Sequence, residues 1–259
     1  MKKILMVFLS VLMLTFTFGF ASPAQPAQAA GVLKVATDAN YPPFDFYQGQ
    51  LKIHTGFDIE LIQAMAPLMG YDKVEFVNVA FDSILKGLNE NQYDLAVAGI
   101  TITEERKKIV DFSDPYIDAG LRICIPVNAQ GGEGMTYMRG KTVAAEAGSH
   151  VIDVAKAAGA AEVIEVRDVE DAIKMAAHGM VDCAVADGPV LAFFMNNGYG
   201  DMVKFAGEKD VESYEMGIAV AKGDIVLLTK VNDALHQLRR SGKFKQIAAS
   251  YFGTEEHKH

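Results

Sequence analysis

AGITITEERKKIVDFSDPY, from Ala98 to Tyr116, carries the transition on which the fold turns. Ala98 to Ile102 is a run of β-formers. Thr103 follows as an N-cap residue, with Glu104 and Glu105 in the first helical turn, where the helix dipole favours acids. A strand that passes directly into a helix is the joint of an α/β protein. Three cations come next, Arg106, Lys107 and Lys108. Arg106 sits about one turn in, placed to reach back over the strand end, while Lys107 and Lys108 point elsewhere round the helix and are expected to be solvated. Gly99 lets a ligand approach the backbone closely, and the turn is expected to leave N–H groups near Gly99 and Thr101 without sheet partners. A carboxylate there would be clamped by Arg106, the Thr101 hydroxyl and backbone donors. A surface ion pair of Arg106 with Asp111 or Glu105 is the alternative use.

Outward from this joint, the period of the apolar residues alternates between strand and helix. Strands are predicted over Val32–Thr37, Lys73–Val79 and Tyr93–Thr101, with helices over Phe57–Met69 and Phe81–Asn89. Phe57, Leu61, Met65 and Leu68 mark the buried face of the first helix, Pro67 distorts its last turn, and Gly70 stops it. The same β-α-β-α-β unit then recurs. Strands are predicted over Thr142–Glu146, Glu162–Val166 and Asp182–Ala186, with helices over Val151–Ala158 and Val169–His178. Two such units give an α/β chain of two lobes, each with a parallel-type sheet flanked by helices.

Residues 1–29 read as a signal peptide: Lys2 and Lys3, an apolar run from Ile4 to Phe20, and Ala27-Gln28-Ala29 before cleavage at Ala30. No cysteine near that site supports a lipid anchor. The first lobe is expected over 30–115 and again over 217–259, and the second over 122–210. The crossings at 116–121 and 211–216 form a two-strand hinge. The tail from Lys222 reads as two helical segments broken at Ser241-Gly242 and returns to the first lobe. Cys124 and Cys183 each lie in an apolar strand-like run, which suits either a disulfide or a pair of buried thiols. With a net charge of −9, no broad basic surface is available for nucleic acid. No His cluster has metal spacing, and no cofactor is expected.

Ligands of open parallel sheets collect beyond the carboxyl ends of the strands. Those ends are Asp38 to Tyr41, Ala80 and Phe81, and Ala98 to Thr101 in the first lobe. In the second they are Glu146 to His150, Arg167 and Asp168, and Asp187.

VATDANYPPFDF, TGFDIELIQAMA, FDSILKGLNENQYDLAVAGITITEERKKIVDFSDPY and YFGTE, in this order, resemble the amino-acid-binding branch of the periplasmic solute-binding proteins of ABC importers. AGITIT-x-ER-KK-x-x-DFSD is most similar to the glutamine-binding members. The resemblance covers nearly all of the chain after the leader. It implies a two-lobed fold that closes on an amino acid, a membrane permease as partner, and a periplasmic monomer. It also implies roles. Arg106, Thr101 and the backbone near Gly99 would hold the α-carboxylate, joined by Ser149. Asp187 would accept the α-ammonium, Tyr41 and Phe81 would sandwich the aliphatic part, and Asp38 would face the side chain. The plain alternatives are core aromatics for Tyr41 and Phe81, a turn former for Asp38, and helix caps for Ser149 and Asp187.

The chain departs from the glutamine pattern. Glu146 stands where those proteins carry Lys, and Ala186 where they carry His. Two carboxylates, Asp38 and Glu146, would then share one end of the cleft and repel unless a cation lies between them. A cationic amino acid (lysine, arginine or histidine) is the expected ligand, with glutamine as the alternative. Catalysis is not expected. A dehydratase on this fold needs a general acid of raised pKa, and Glu146 reads as sitting in a polar setting that gives no reason for one. The chain has no phosphate-binding loop of a transporter ATPase.

Overall fold

The computed structural model describes residues 31–253. The expected leader, its cleavage point and the closing residues 254–259 lie outside that range. Chain order begins with β1 (Gly31–Thr37), β2 (Asn40–Tyr41), β3 (Asp45–Gln48), β4 (Ile53–Thr55), α1 (Phe57–Met65), β5 (Tyr71–Asn78), α2 (Phe81–Asn89), β6 (Leu95–Ala96), α3 (Glu104–Lys107) and β7 (Val110–Phe112). A long strand β8 (Ile117–Pro126) follows. The second unit is β9 (Thr142–Glu146), α4 (Val151–Ala157), β10 (Glu162–Val166), α5 (Val169–Ala177), β11 (Cys183–Asp187), α6 (Gly188–Phe194) and β12 (Val203–Phe205). The chain closes with β13 (Glu212–Met216), β14 (Ala219–Ala221), α7 (Ile225–Arg240) and α8 (Lys243–Phe252).

Two mixed sheets result. The first runs β5-β1-β6-β14-β7 and the second β10-β9-β11-β8-β12, with β13 also paired to β8. Each has the expected parallel core, β5-β1-β6 and β10-β9-β11. The remaining strands are antiparallel because they belong to the two crossings and the returns, which arrive from the opposite direction. The crossings pair with each other, β8 with β13, from Leu121 opposite Glu212 to Ile117 opposite Met216.

Differences from the expected elements have local causes. The helix expected to Met69 tightens at Pro67, so Ala66–Met69 is a 3-10 turn closed by left-handed Gly70. Phe57, Leu61 and Met65 are fully buried as spaced, but the tighter turn swings Leu68 to 43% exposure. The strand expected over Tyr93–Thr101 keeps only Leu95–Ala96, because Gly99 at φ +56° turns the chain out of the sheet. The small sheet β2-β3-β4 escapes the periodic reading because its strands are two to four residues long.

The first core gathers on Phe57. Its ring lies 5.1 Å from Phe252 and 5.7 Å from Phe244, so the C-terminal helix α8 seats on α1. Deleting a buried Phe side chain costs about 3–5 kcal/mol in such packing. Cys124 on β8 and Cys183 on β11 are buried free thiols, and burial pushes both up to about 12.

Candidate functional site

The strand-to-helix joint forms as its residues dictate. The Thr103 hydroxyl accepts from the Arg106 amide at 3.2 Å and caps α3. Lys107 pairs with Glu104 at 2.8 Å and Lys108 with Glu105 at 2.6 Å, all well exposed. Asp111 pairs with Lys222 at 2.7 Å. Arg106 takes none of these partners. Its Nη1 donates to the Thr101 carbonyl at 2.9 Å and its Nη2 to the Gly148 carbonyl of the second lobe at 3.1 Å. The guanidinium carbon lies 5.4 Å from the centre of the Phe81 ring. Burial pulls the Arg106 pKa down, but a guanidinium stays charged. Among the described residues, this cation has no carboxylate in ion-pair contact.

Gly99 corrects one expectation. Its amide is not free for a ligand but donates to Asp58 Oδ2 at 3.0 Å, an acceptor shared with the Tyr116 hydroxyl at 3.2 Å. The strand end bends over a fully buried carboxylate and uses it as its sheet partner. Glycine is required there by φ and by space, since a Cβ would come within 2.8 Å of Tyr41 Cε1. Thr101 is buried and bridges Met216 through its neighbours' bonds, Ile102 N to Glu215 O and Gly217 N to Ile100 O, while its own carbonyl accepts from Arg106.

The other first-lobe residues meet at the same edge. Asp38 is 3% exposed. Its Oδ1 accepts from Asn40 N and Nδ2 at 3.2 and 3.0 Å, and its Oδ2 from the Phe81 amide at 3.1 Å. It is thus the turn former considered above and also the anchor that fixes Phe81. Burial raises its pKa and these bonds oppose the rise.

The second lobe presents Glu146, Gly148, Ser149 and Asp187. Glu146 ends β9 at 5% exposure. Its carboxyl is pushed well above the usual range, first by burial and then by Asp38, Asp168, Asp187 and Asp82. The polar setting with an ordinary pKa, expected from the sequence, is therefore replaced by a buried site. The β9 strand turns this side chain inward, and neighbouring acids surround it. Neither Glu146 nor Asp38 has a cation in ion-pair contact among the described residues. The Ser149 hydroxyl is buried with no hydrogen-bond partner there, and His150 occupies the cap position of α4. Gly148, at φ +74°, abuts Asp82 across the cleft, where a Cβ would lie 2.9 Å from Asp82 Cα. Any side chain would hold the lobes apart at that point.

Asp187 stands at the N-cap position of α6 but forms no capping bond. Its carboxylate accepts from the hydroxyls of Tyr41, in the first lobe, and Tyr214, on β13. Burial raises it to about 6, and the two hydroxyl bonds hold it back from going further. Sequence reasoning missed Tyr214. It lies 27 residues beyond Asp187, and only the β8–β13 register brings it over the cleft. The missed Asp58 precedes Gly99 by 41 residues. No group of metal-ligand type clusters among the described residues.

Two lobes joined by two paired strands, with strand-end charges facing across a cleft, define the type II periplasmic-binding-protein architecture. The chain belongs to the bacterial extracellular solute-binding proteins, family 3, whose model matches residues 33–254. It is 32% identical to a probable histidine-binding protein of Neisseria gonorrhoeae over 90% of this chain and 87% of that one. An ancestral arginine-binding protein solved with arginine is 37% identical, covers 87% of this chain and all of its own, and superposes with a TM-score of 0.79. An ancestral amino-acid-binding protein, described as a precursor of cyclohexadienyl dehydratase, is 33% identical over 86% of this chain and 96% of its own, at a TM-score of 0.77. No helix among the described residues is long and apolar enough to cross a membrane.

Proposed function

We propose that this protein captures a cationic L-amino acid outside the cytoplasm and delivers it to the permease of an ABC importer. One observation carries the reading. The cleft holds a half-buried cation, Arg106, and buried carboxylates, Asp38, Glu146 and Asp187, none of which has an oppositely charged partner among the described residues. A zwitterion with one further positive charge complements this set. Its α-carboxylate would take Arg106 and the free Ser149 hydroxyl, its α-ammonium Asp187, and its distal cation Asp38 and Glu146. Tyr41 and Phe81 would flank the aliphatic part, with Gly99 and Thr101 shaping the backbone around the carboxylate. A cation between Asp38 and Glu146 favours the ionised form of Glu146, which burial otherwise disfavours. The relatives that bind histidine and arginine support this chemistry.

The paired crossings, near 116–121 and 211–216, act in this reading as the hinge between a lobe over 30–115 and 217–259 and a lobe over 122–210. A ligand bridging Arg106 and Asp187 favours the closed state over the open one. A cleaved leader over 1–29 would place the monomer in the periplasm.

The test is a melting-temperature panel of the twenty amino acids on refolded, ligand-free protein from Ala30 onward. At ~100 times Kd, the true ligand stabilises by about 2.7 kcal/mol. Arginine, lysine or histidine should give the rise, and Glu146→Lys should abolish that preference. A rise with glutamine alone, or an unchanged preference in Glu146→Lys, defeats the cationic reading.

The buried Glu146 favours a second reading, a dehydratase, because a carboxyl of raised pKa is the general acid such chemistry needs. The charges oppose it. A cyclohexadienyl acid brings a ring carboxylate into the end of the cleft occupied by Asp38 and Glu146. Loss of the prephenate ultraviolet spectrum on incubation with the protein would establish this activity. A stable spectrum is expected.

A further inference from the structure

A cavity of about 590 Å³ opens beside the distal end of the cleft, between the β2-β3-β4 sheet of the first lobe and α5 and α6 of the second. Resting on the cationic-ligand reading above, we infer that it is an extension of the binding site. It would accept basic amino acids whose side-chain nitrogen carries a neutral, largely apolar substituent.

The cavity joins the cleft through Asn40 and Asp168. Asn40 lines it and donates to Asp38 at 3.0 Å, so its wall lies one side chain from the carboxylate assigned to the distal cation. Asp168 lines it as well, and its charge reaches Glu146. The opposite wall is apolar, with Phe46, Phe193 and Phe194. The Phe46 ring lies 5.3 Å from that of Phe193, an aromatic contact made across the two lobes. The cavity is therefore completed by closure, and a group filling it touches both lobes.

Its own charges decide what it takes. Asp168 is matched by Arg167 at 2.8 Å and by the Asp171 amide. Glu170 is matched by Lys174 at 3.2 Å and the Tyr199 hydroxyl at 2.7 Å. With these acids matched within their own lobe, and with the exposed Lys52 also lining it, the cavity offers no second cation site. It offers aromatic area for alkyl groups and the amides of Asn40 and Asn197 for a polar tip. An alkyl group on a guanidinium keeps the charge for Asp38 and Glu146 and extends toward Phe46 and Phe193.

The experiment compares L-arginine with Nω-propyl-L-arginine by titration calorimetry, on wild type and on Gln48→Trp, which places a large ring on the exposed cavity wall. Asn197→Phe narrows the cavity from the other lobe and guards against a folding failure of the first variant. Wild type should bind the two ligands within about tenfold of each other, whereas either variant should weaken the propyl compound alone by about tenfold or more. Arginine binding reports that each variant is folded. Rejection of the propyl compound by more than about a hundredfold in wild type overturns the extension and leaves the cationic reading intact. So do variants that weaken both ligands alike, or neither. Silence with arginine, lysine and histidine overturns that reading itself.

Discussion

The two walls of the cleft are built on opposite terms. In the first lobe the carboxylates Asp38 and Asp58 are held from their own lobe and its crossing strand: Asp38 by Asn40 and the Phe81 amide, Asp58 Oδ2 by Gly99 and Tyr116. In the second lobe Asp168 is held by Arg167 and the Asp171 amide, but three other groups on the wall are not held by their own lobe. Among the described residues the Ser149 hydroxyl has no partner and Glu146 no counter-ion, and Asp187 takes its hydrogen bonds from Tyr41 and from Tyr214 on the crossing strand. The difference assigns an order. The first wall is pre-organised and suits docking. The second gains its missing partners only when a ligand or the opposite lobe arrives, and so it suits closure.

The largest test of this contrast is Arg106→Ala. It removes the cation assigned to the ligand's α-carboxylate, and affinity for arginine should fall by about 2–5 kcal/mol in calorimetry. The fold should survive, since Arg106 bonds only to two carbonyls. Equal affinity would mean that the ligand carboxylate sits elsewhere. On the opposite wall, Glu146→Gln keeps shape and removes charge. Arginine should weaken by about 1.5–3 kcal/mol and glutamine by less. A uniform loss for both would show that Glu146 does not read charge.

Acid–base behaviour should separate the walls next. Asp58 is raised by burial to about 8 from 3.8, and Asp187 to about 6. The folded state then holds protons that the unfolded chain has released, so stability falls as pH rises through that window. The melting temperature of ligand-free protein should drop between pH 4 and 8. Asp58→Asn should make the drop from about 6 to 8 shallower and leave the remainder to Asp187 and Glu146, whose pKa is also raised. A flat wild-type profile would refute the assignment. Arginine binding should also release protons, read as a dependence of the calorimetric heat on the buffer's ionisation enthalpy. A heat independent of the buffer would mean that Glu146 does not ionise on binding.

Ser149→Ala is a finer probe. It should lower affinity by about 0.5–1.5 kcal/mol and leave ligand-free stability unchanged, because the hydroxyl has nothing to lose. A destabilised ligand-free protein would reveal a structural partner for it. Smallest of all is Lys107→Ala. Its pair with Glu104 is solvent-exposed and screened, so its loss should leave both the melting temperature and the affinity essentially unchanged. A loss comparable to that of Arg106→Ala would erase the distinction drawn among the three neighbouring cations.

What was legible in the sequence follows from range. Elements fixed by local period appear where the spacing places them. α2 and β9 match to the residue, and Gly242 breaks α7 from α8. Arg106 and the Thr103 cap are local too, so the joint could be read from one stretch. Features that depend on distant register were hidden. Gly99 reads as a free amide until Asp58 is brought beneath it. Tyr214 reads as an ordinary strand residue until β13 lies along β8. Glu146 reads as polar until the lobes bury it among other acids. The short strands of β2-β3-β4 carry too few residues for a period to show.

The place of β14 in the first sheet has a further consequence. β7 belongs to that sheet only through β14, which also pairs with β6. A chain that emerges N-terminus first therefore presents residues 31–112 with the β6 edge open and β7 unattached until Ala221 has followed. The second sheet's β8 to β12 occupy one continuous stretch and can assemble earlier. The first lobe thus depends on contacts of long sequence separation, which form slowly. If the chain is exported unfolded, as the proposed leader implies, that delay postpones completion of the first lobe until nearly the whole chain has passed.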